Sequence, residues 1–409
     1  MPRGFLLIIA TFVVAIVLIS GKKFLEAYTL CHKVLLQLGE DIPESLQSDQ
    51  ISEMIEATSK MVKSISDIEL LEMKEMNKRH SIPMNFYSLL ATAAFFLNSY
   101  MLPFIASRMV RYTMEKGLCK YSIMGFVQYA GVLCTTSKIA KKRIESASRI
   151  AKAAMSCSKT RYKTPEQVPF LYSSYYGLIA FHTEPLQTCA NMLRQGFDAG
   201  MSLGESGMAF FNAIQHIKTA VIAGDRLPSL LEKVDYYLEQ ASTHQNEIAK
   251  AYLSIFRGTI STLINKREST SSSPLAIDVP TDTANANMLE SIHFHLAIQA
   301  YWQGYSERCQ HYMGKLLQKR SIFGKLNSVI IVFIHGMNSF RLMKKQPTIK
   351  LRSIAKKSIR VLKSAAIHSC WNFSNKVRYN QSMNDALVFS LTGILLMLLY
   401  SSLGQAIRS

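Results

Sequence analysis

Three places in this chain carry residue types suited to chemistry. His293 and His295 stand two apart, His182-Thr183-Glu184 sets an imidazole beside a carboxylate, and Gly200-Met-Ser-Leu-Gly204-Glu-Ser-Gly207 is rich in glycine. On a helix, side chains two residues apart point about 200° apart around the axis, so the histidine pair is poorly placed to share a metal ion. His182 and Glu184 adjoin Pro185, where such residues serve as polar terminators of a helix rather than as a general acid and base. A phosphate-cradling loop needs glycines that let backbone N–H groups surround the phosphates, followed by a lysine. The glycine stretch lacks that lysine and a preceding strand, and it reads as a turn between helices. No GxxxxGK[ST], HExxH or GxSxG occurs. Accordingly no catalytic, cofactor-binding or metal-ligating residue is assigned, no small-molecule substrate is inferred, and the chain is read as non-enzymatic.

The remaining chemistry is that of surfaces. Lys and Arg number 47 against 28 acidic residues, a formal charge of +19 over 409 residues. Such an excess suits an acidic partner, but the cations are scattered rather than blocked. Aromatic bursts, Phe170-Tyr172-Tyr175-Tyr176, Tyr236-Tyr237 and Tyr301-Trp302-Tyr305, would stack bases if exposed beside cations. At helical spacing they read instead as packing between helices, and nucleic acid is not the expected partner. The seven cysteines, Cys31, Cys119, Cys134, Cys157, Cys189, Cys309 and Cys370, are odd in number, widely spaced and without a CxxC. They read as reduced, buried thiols rather than as a disulfide framework or a zinc site.

The elements that carry these residues are helices. Met288 to Leu317 reads as two helices joined at Gly304, with Ile292, Leu296, Ala297, Ile298 and Ala300 striping the first and Cys309, Tyr312, Met313, Leu316 and Leu317 the second. Small residues where the helices lie close and larger ones toward the next pair follow the order of a tetratricopeptide-type hairpin. One such hairpin cannot bury its own apolar face. Similar units start near Pro83, Lys120, Thr164, Gly204, His244, Ala284 and Gly324, about forty residues apart. Breakers at Pro103, Ser137, Pro185 and Gly224–Pro228 separate the helices, and no stretch alternates as a strand would.

The expected fold is therefore all-α, a right-handed α-solenoid of tetratricopeptide-like helix pairs with apolar helices at both termini. Four segments follow: an apolar segment 1–21, amphipathic helices over 22–82, the repeat solenoid 83–367, and a polar stretch with an apolar helix over 368–409. Within the solenoid, 266–283, with its Ser/Thr clusters, Pro274 and Pro280, reads as a mobile insertion. Phe5–Ile19 is uncharged, with Arg3 before it and Lys22–Lys23 after it, and fits an uncleaved signal anchor better than a cleaved signal peptide. Ala386–Leu403 fits a tail anchor. The alternative packs both segments as caps on the end repeats. Membrane attachment through terminal helices, with the solenoid on the cytosolic side, is the resulting expectation. Asn372-Phe-Ser374 and Asn380-Gln-Ser382 match the glycosylation acceptor pattern.

Several long phrases carry a family resemblance: CHKVLLQLGEDIPES (31–45), MNFYSLLATAAFFL (84–97), GLCKYSIMGFVQYAGVLC (117–134), GLIAFHTEPLQTCANMLRQGFDAGMSLGE (177–205), AFFNAIQHIKTAVIAGDRLPSLLEKVDYYLE (209–239) and IHGMNSFRLMKKQPTIKLRSIAKKSIRVLKSAA (334–366). From about Leu30 to Arg378 the chain resembles the helical, tetratricopeptide-like region of large algal STAND-type, origin-recognition-like AAA ATPase signalling proteins. The ATPase and kinase modules that precede this region in the family are absent here, and from Arg378 onward an apolar tail replaces the family's further helix. The resemblance implies a regulatory, protein-binding repeat region rather than a catalytic one.

The functional expectation is a non-enzymatic scaffold that binds a protein partner through the groove lined by the first helices of the pairs. Tyr175, Tyr176, Asn212, Gln215, Gln299 and Asn338 are the candidate groove residues. The alternatives are a fragment of a larger ATPase or kinase whose catalytic modules are missing, and a basic nucleic-acid-binding helical protein.

Overall fold

The computed structural model describes residues 3–21, 23–97, 99–135, 141–264, 286–317, 326–346, 348–368 and 372. The described residues are all-α: helices account for every regular element, and one isolated bridge pairs Glu75 with Leu118. The expected insertion 266–283, the breaker Ser137 and the apolar stretch Ala386–Leu403 lie outside the described residues. The chain divides into two compact units, Met1–Tyr175 and Tyr176–Ser409.

The first unit contains α1 (Arg3–Ser20), α2 (Phe24–Gln37), α3 (Ser48–Lys63), α4 (Asp67–Leu71), α5 (Lys78–Phe96), α6 (Leu102–Lys116), α7 (Ser122–Thr135) and α8 (Lys141–Cys157), and it runs into α9 (Val168–Leu178). Local chemistry sets several boundaries. Ser66 accepts from the Glu69 N–H at 3.2 Å while the Glu69 carboxylate accepts from the Ser66 N–H at 2.7 Å, a capping box that opens α4. Asn77 caps α5 by accepting from the His80 N–H at 2.9 Å, so this helix begins ahead of Pro83. Pro103 sits in the first turn of α6, where its missing N–H costs nothing.

Helix α5 is the centre of this unit, with α1, α2 and α6 packed on it. Its apolar residues therefore point in several directions, and Phe86, Tyr87, Leu90, Ala91 and Ala94 are all buried. The Tyr87 hydroxyl and the Arg108 guanidinium both donate to Glu40 Oε2, at 2.8 and 3.0 Å, tying the end of α2 to α5 and α6. Two arginines then fix the stretch between α3 and α5. Arg149 on α8 donates to the carbonyls of Val62 and Ile65 and to Asp67, satisfying the open end of α3. Arg161 donates to the Leu71 and Met73 carbonyls and to Glu75.

The second unit contains α10 (Leu186–Ser202), α11 (Ser206–Ala223), α12 (Leu227–Thr243), α13 (Glu247–Ile264), α14 (Ala286–Gln303), α15 (Ser306–Leu317), α16 (Leu326–Lys345) and α17 (Ile349–His368). α10 packs on α11, α12 on α13, α14 on α15 and α16 on α17, and further contacts join α11 to α13 and α14 to α16. Helices thus begin close to each position marked by the sequence period, at Ser206, Glu247, Ala286 and Leu326 in this unit. Gly200 lets α10 and α11 approach closely: a Cβ there would lie 2.9 Å from Ala209 Cβ and 3.0 Å from its backbone. The turn at Gly304 forms as the sequence implies. Its φ of +89° lets the Tyr305 N–H reach the Ala300 carbonyl at 2.8 Å and its own N–H reach Tyr301 at 3.2 Å, closing α14.

Candidate functional site

Four buried polar residues of the second unit form an internal series. Thr219 on α11, Thr259 on α13, Gln299 on α14 and Ser339 on α16 are spaced forty positions apart and are all buried. The best-bonded of them is Thr259. Its hydroxyl donates to the Ile255 carbonyl at 3.0 Å, and the Gln299 side-chain N–H donates to it at 2.9 Å. A hydroxyl has one proton, so the third neighbour, His295 Nδ1 at 3.1 Å, must be the donor, which assigns the Nδ1–H tautomer. Burial pushes the His295 imidazole down to about 3, and it stays neutral. Two further histidines behave alike. His216, 2.7 Å from the Tyr237 hydroxyl, is pushed down to about 4 by burial and then by Lys233. His335, 3.2 Å from the Gln310 amide nitrogen, falls to about 4 through burial and then Lys357.

This packing decides the residues expected to line a groove. Tyr175, Asn212, Gln215, Gln299 and Asn338 are buried, and Tyr176 is half-buried. Asn212 donates to the Met208 carbonyl at 2.9 Å, Asn338 donates to the Ser306 carbonyl at 2.9 Å, and the Gln215 amide lies against Gly177. The expectation that Tyr175, Asn212, Gln215, Gln299 and Asn338 face a partner is corrected by their burial, and Asn212, Gln299 and Asn338 are hydrogen-bonded along or between packed helices. They sit on the expected helices but on their inner sides, because each helix has neighbours on more than one flank.

The other chemistry-bearing places are equally structural. His295 is buried and His293 lies 6.2 Å from the Tyr312 ring, so they do not converge. Among the described residues, no group of three or more His, Cys, Asp or Glu is placed to hold a metal ion. The Phe181 and His182 rings lie 4.0 Å apart, tilted by 34°, in a short 3-10 turn, Ala180–His182, ahead of α10. The glycine-rich stretch is the α10–α11 turn, where the Glu205 N–H donates to the Gly200 carbonyl. Six cysteines, Cys31, Cys119, Cys134, Cys157, Cys189 and Cys309, are free and buried, and burial pushes Cys31, Cys134, Cys189 and Cys309 up to about 12. These four thiols are protonated and unreactive at neutral pH. Of the aromatic bursts, Tyr237 and Tyr301 are buried, the latter under the Arg341 guanidinium at 4.5 Å, whereas Tyr236 and Tyr305 are exposed.

Asn372 has a role the sequence does not reveal. Its Nδ2 donates to the Phe181 and Glu184 carbonyls at 2.7 and 3.0 Å, and its Oδ1 accepts from the Leu186 N–H at 2.9 Å. Within the second unit it therefore caps the start of α10. The amide that a glycan would need is already committed, so the acceptor pattern at 372–374 is a structural residue in sequence disguise.

The largest unexplained surface is on α1. Among the described residues, no helix is long and apolar enough to cross a membrane. Phe5–Ile19 falls within α1, which lies on α2 and α5. Ala15 is fully buried, Phe12 meets Phe86 edge-on at 5.6 Å, and Ile8 packs against the same core. Leu7, Ile9, Val13, Val14, Ile16 and Val17 are exposed, Leu7 to 69% and Val17 to 63%. The sequence hides this division, since a run apolar on every side has no period to read. No protein-family model, no curated protein and no solved structure matches the chain.

Proposed function

We propose that this chain is a non-enzymatic helical-repeat scaffold that binds a protein partner and is attached to a membrane. In this reading its helix pairs are tetratricopeptide-like, stacked as in a right-handed solenoid, and descend from the regulatory repeat region of a signalling ATPase of the kind the sequence resembles. The observation that carries it is the buried series Thr219, Thr259, Gln299 and Ser339, forty positions apart on α11, α13, α14 and α16. A repeated unit retains the same interior position while its outward residues diverge, which suits a protein whose product is a surface. The committed state of the histidines, thiols and glycines described above also supports binding over catalysis. The solenoid faces the cytosol, where its basic excess meets anionic lipid and acidic partners.

The test is reconstitution. A partner recovered by cross-linking in native cells, then purified, should bind the full chain with a measurable Kd in the absence of nucleotide. Steady ATP hydrolysis by the purified chain would overturn the reading in favour of an enzyme. RNA binding that falls steeply with salt, with no protein partner recovered, would overturn it in favour of nucleic acid.

A further inference from the structure

We propose that α1 lies in the plane of a membrane surface, with its outer face sunk among anionic lipids and its inner face held by the protein. The proposal deepens the membrane-attachment reading and rests on it. Around the helix, Ile8, Phe12, Ala15 and Ile19 occupy one arc, and Leu7, Ile9, Val13, Val14, Ile16 and Val17 occupy the opposite half. The inner arc is sealed onto α5 by the Phe12–Phe86 contact and the buried Ala15. The outer arc exposes six aliphatic side chains in one continuous strip, on the order of a few hundred Å². An interfacial helix ordinarily supplies its own polar face; here the body of the protein takes that place.

The chemistry of the strip selects lipid over protein. Protein interfaces centre on aromatic and arginine anchors with a rim of hydrogen-bonding groups. The outer strip has only aliphatic groups, and the helix's one interior hydroxyl, Thr11, already donates to the Leu7 carbonyl at 2.8 Å. Its ends are cationic in sequence, with Arg3 as its first residue and Lys22–Lys23 after it. On the adjoining α2, Leu25, Leu36 and Lys33 are exposed, and Lys23 just ahead of it is paired with Glu26 at 3.6 Å. Aliphatic side chains reaching into the acyl boundary, with lysines at headgroup level, match an anionic monolayer. A helix of 18 residues is about 27 Å long, ample for lying along a surface.

The experiment uses the full chain with vesicles of phosphatidylcholine alone and of phosphatidylcholine with phosphatidylserine. Flotation should show binding that is at least tenfold stronger with phosphatidylserine. Val13→Asp with Val17→Asp should reduce it tenfold or more while the thermal midpoint holds, since neither side chain packs inside. A Val14→Trp variant should shift to the blue on binding and be quenched by lipids brominated near the headgroup more than by lipids brominated near the chain ends. Equal binding by the Val13/Val17 variant would overturn the role of α1 while leaving attachment by other means in place. No vesicle binding by the full chain, with carbonate extraction releasing it from cells, would overturn both. A dimer dissolved by the same two substitutions, without vesicle binding, would assign the strip to a second copy and overturn the lipid proposal.

Discussion

Gln299 donates its side-chain N–H to the hydroxyl of Thr259, 2.9 Å away and forty residues earlier in the chain. The pair joins α13 to α14 through their side chains. With Thr259 also accepting from His295, a single buried hydroxyl organises three polar groups. Thr259→Val keeps the shape and removes the acceptor, leaving two buried donors unpaired. The expected loss is about 2–4 kcal/mol. Gln299→Leu in the same background should cost far less than it does alone, because its partner has gone. Urea denaturation of the two single variants and the double variant measures this, and simple additivity would show that the bond carries no coupling.

Two buried histidines, His216 and His295, and the half-buried His335 make stability fall with acid. Each is held well below its ordinary value, to about 4 for His216 and His335 and to about 3 for His295. The unfolded chain therefore binds more protons than the folded one once pH drops below about 6.5, and folding weakens as pH falls. Their contribution is fully present above that value. It declines until about pH 4 for two of them and about pH 3 for His295, at roughly 1.4 kcal/mol per pH unit for each. Urea midpoints at pH 7.5 and pH 5 should differ accordingly. His335→Gln should flatten the slope by close to one proton, and an unchanged slope would mean that His335 is not held neutral.

Gln245 stands where the helix ends at Gly39, Gly204, Gly224 and Gly304 use glycine. Its φ is +49°, and the Asn246 N–H behind it donates to the Ala241 carbonyl at 2.8 Å, the same closure as at Gly304. A side chain in the left-handed region costs about 1 kcal/mol relative to glycine. Gln245→Gly is therefore expected to raise stability by up to about 1 kcal/mol, and Gly304→Ala to lower it by a similar amount. Thermal melts of the two variants should move in opposite directions.

Arg149 joins α8 to a segment more than eighty residues before it, through Val62, Ile65 and Asp67. Arg149→Met keeps most of the packing and leaves the carbonyls at the end of α3 without their donor. A loss of about 1–3 kcal/mol is expected. Hydrogen exchange should quicken first in 62–75, before the rest of the first unit. Uniform exchange across the unit would mean that the arginine is not the local tie.

Helical periodicity, the breakers and the forty-residue recurrence place helix starts close to where they are found, and Gly304 announces its turn. These are local properties: a stripe at spacings of three and four and a glycine at a helix end act within one or two turns of chain. What the sequence by itself left open was direction. Asn212, Gln215, Gln299 and Asn338 are polar residues on the expected helices, and nothing local says that neighbouring helices enclose them. The side that faces inward is set by which helices pack on each flank, a long-range outcome of burying the largest apolar area. Helix α1 shows the same limit. A run apolar on all sides gives no preferred face, and only docking of Phe12 and Ala15 onto the α5 core separates the sealed half from the exposed one. Asn372, capping a helix that starts 186 residues earlier, is decided wholly by tertiary structure. Its three hydrogen bonds are to backbone groups, which every sequence possesses, so no residue pattern could have named its partners.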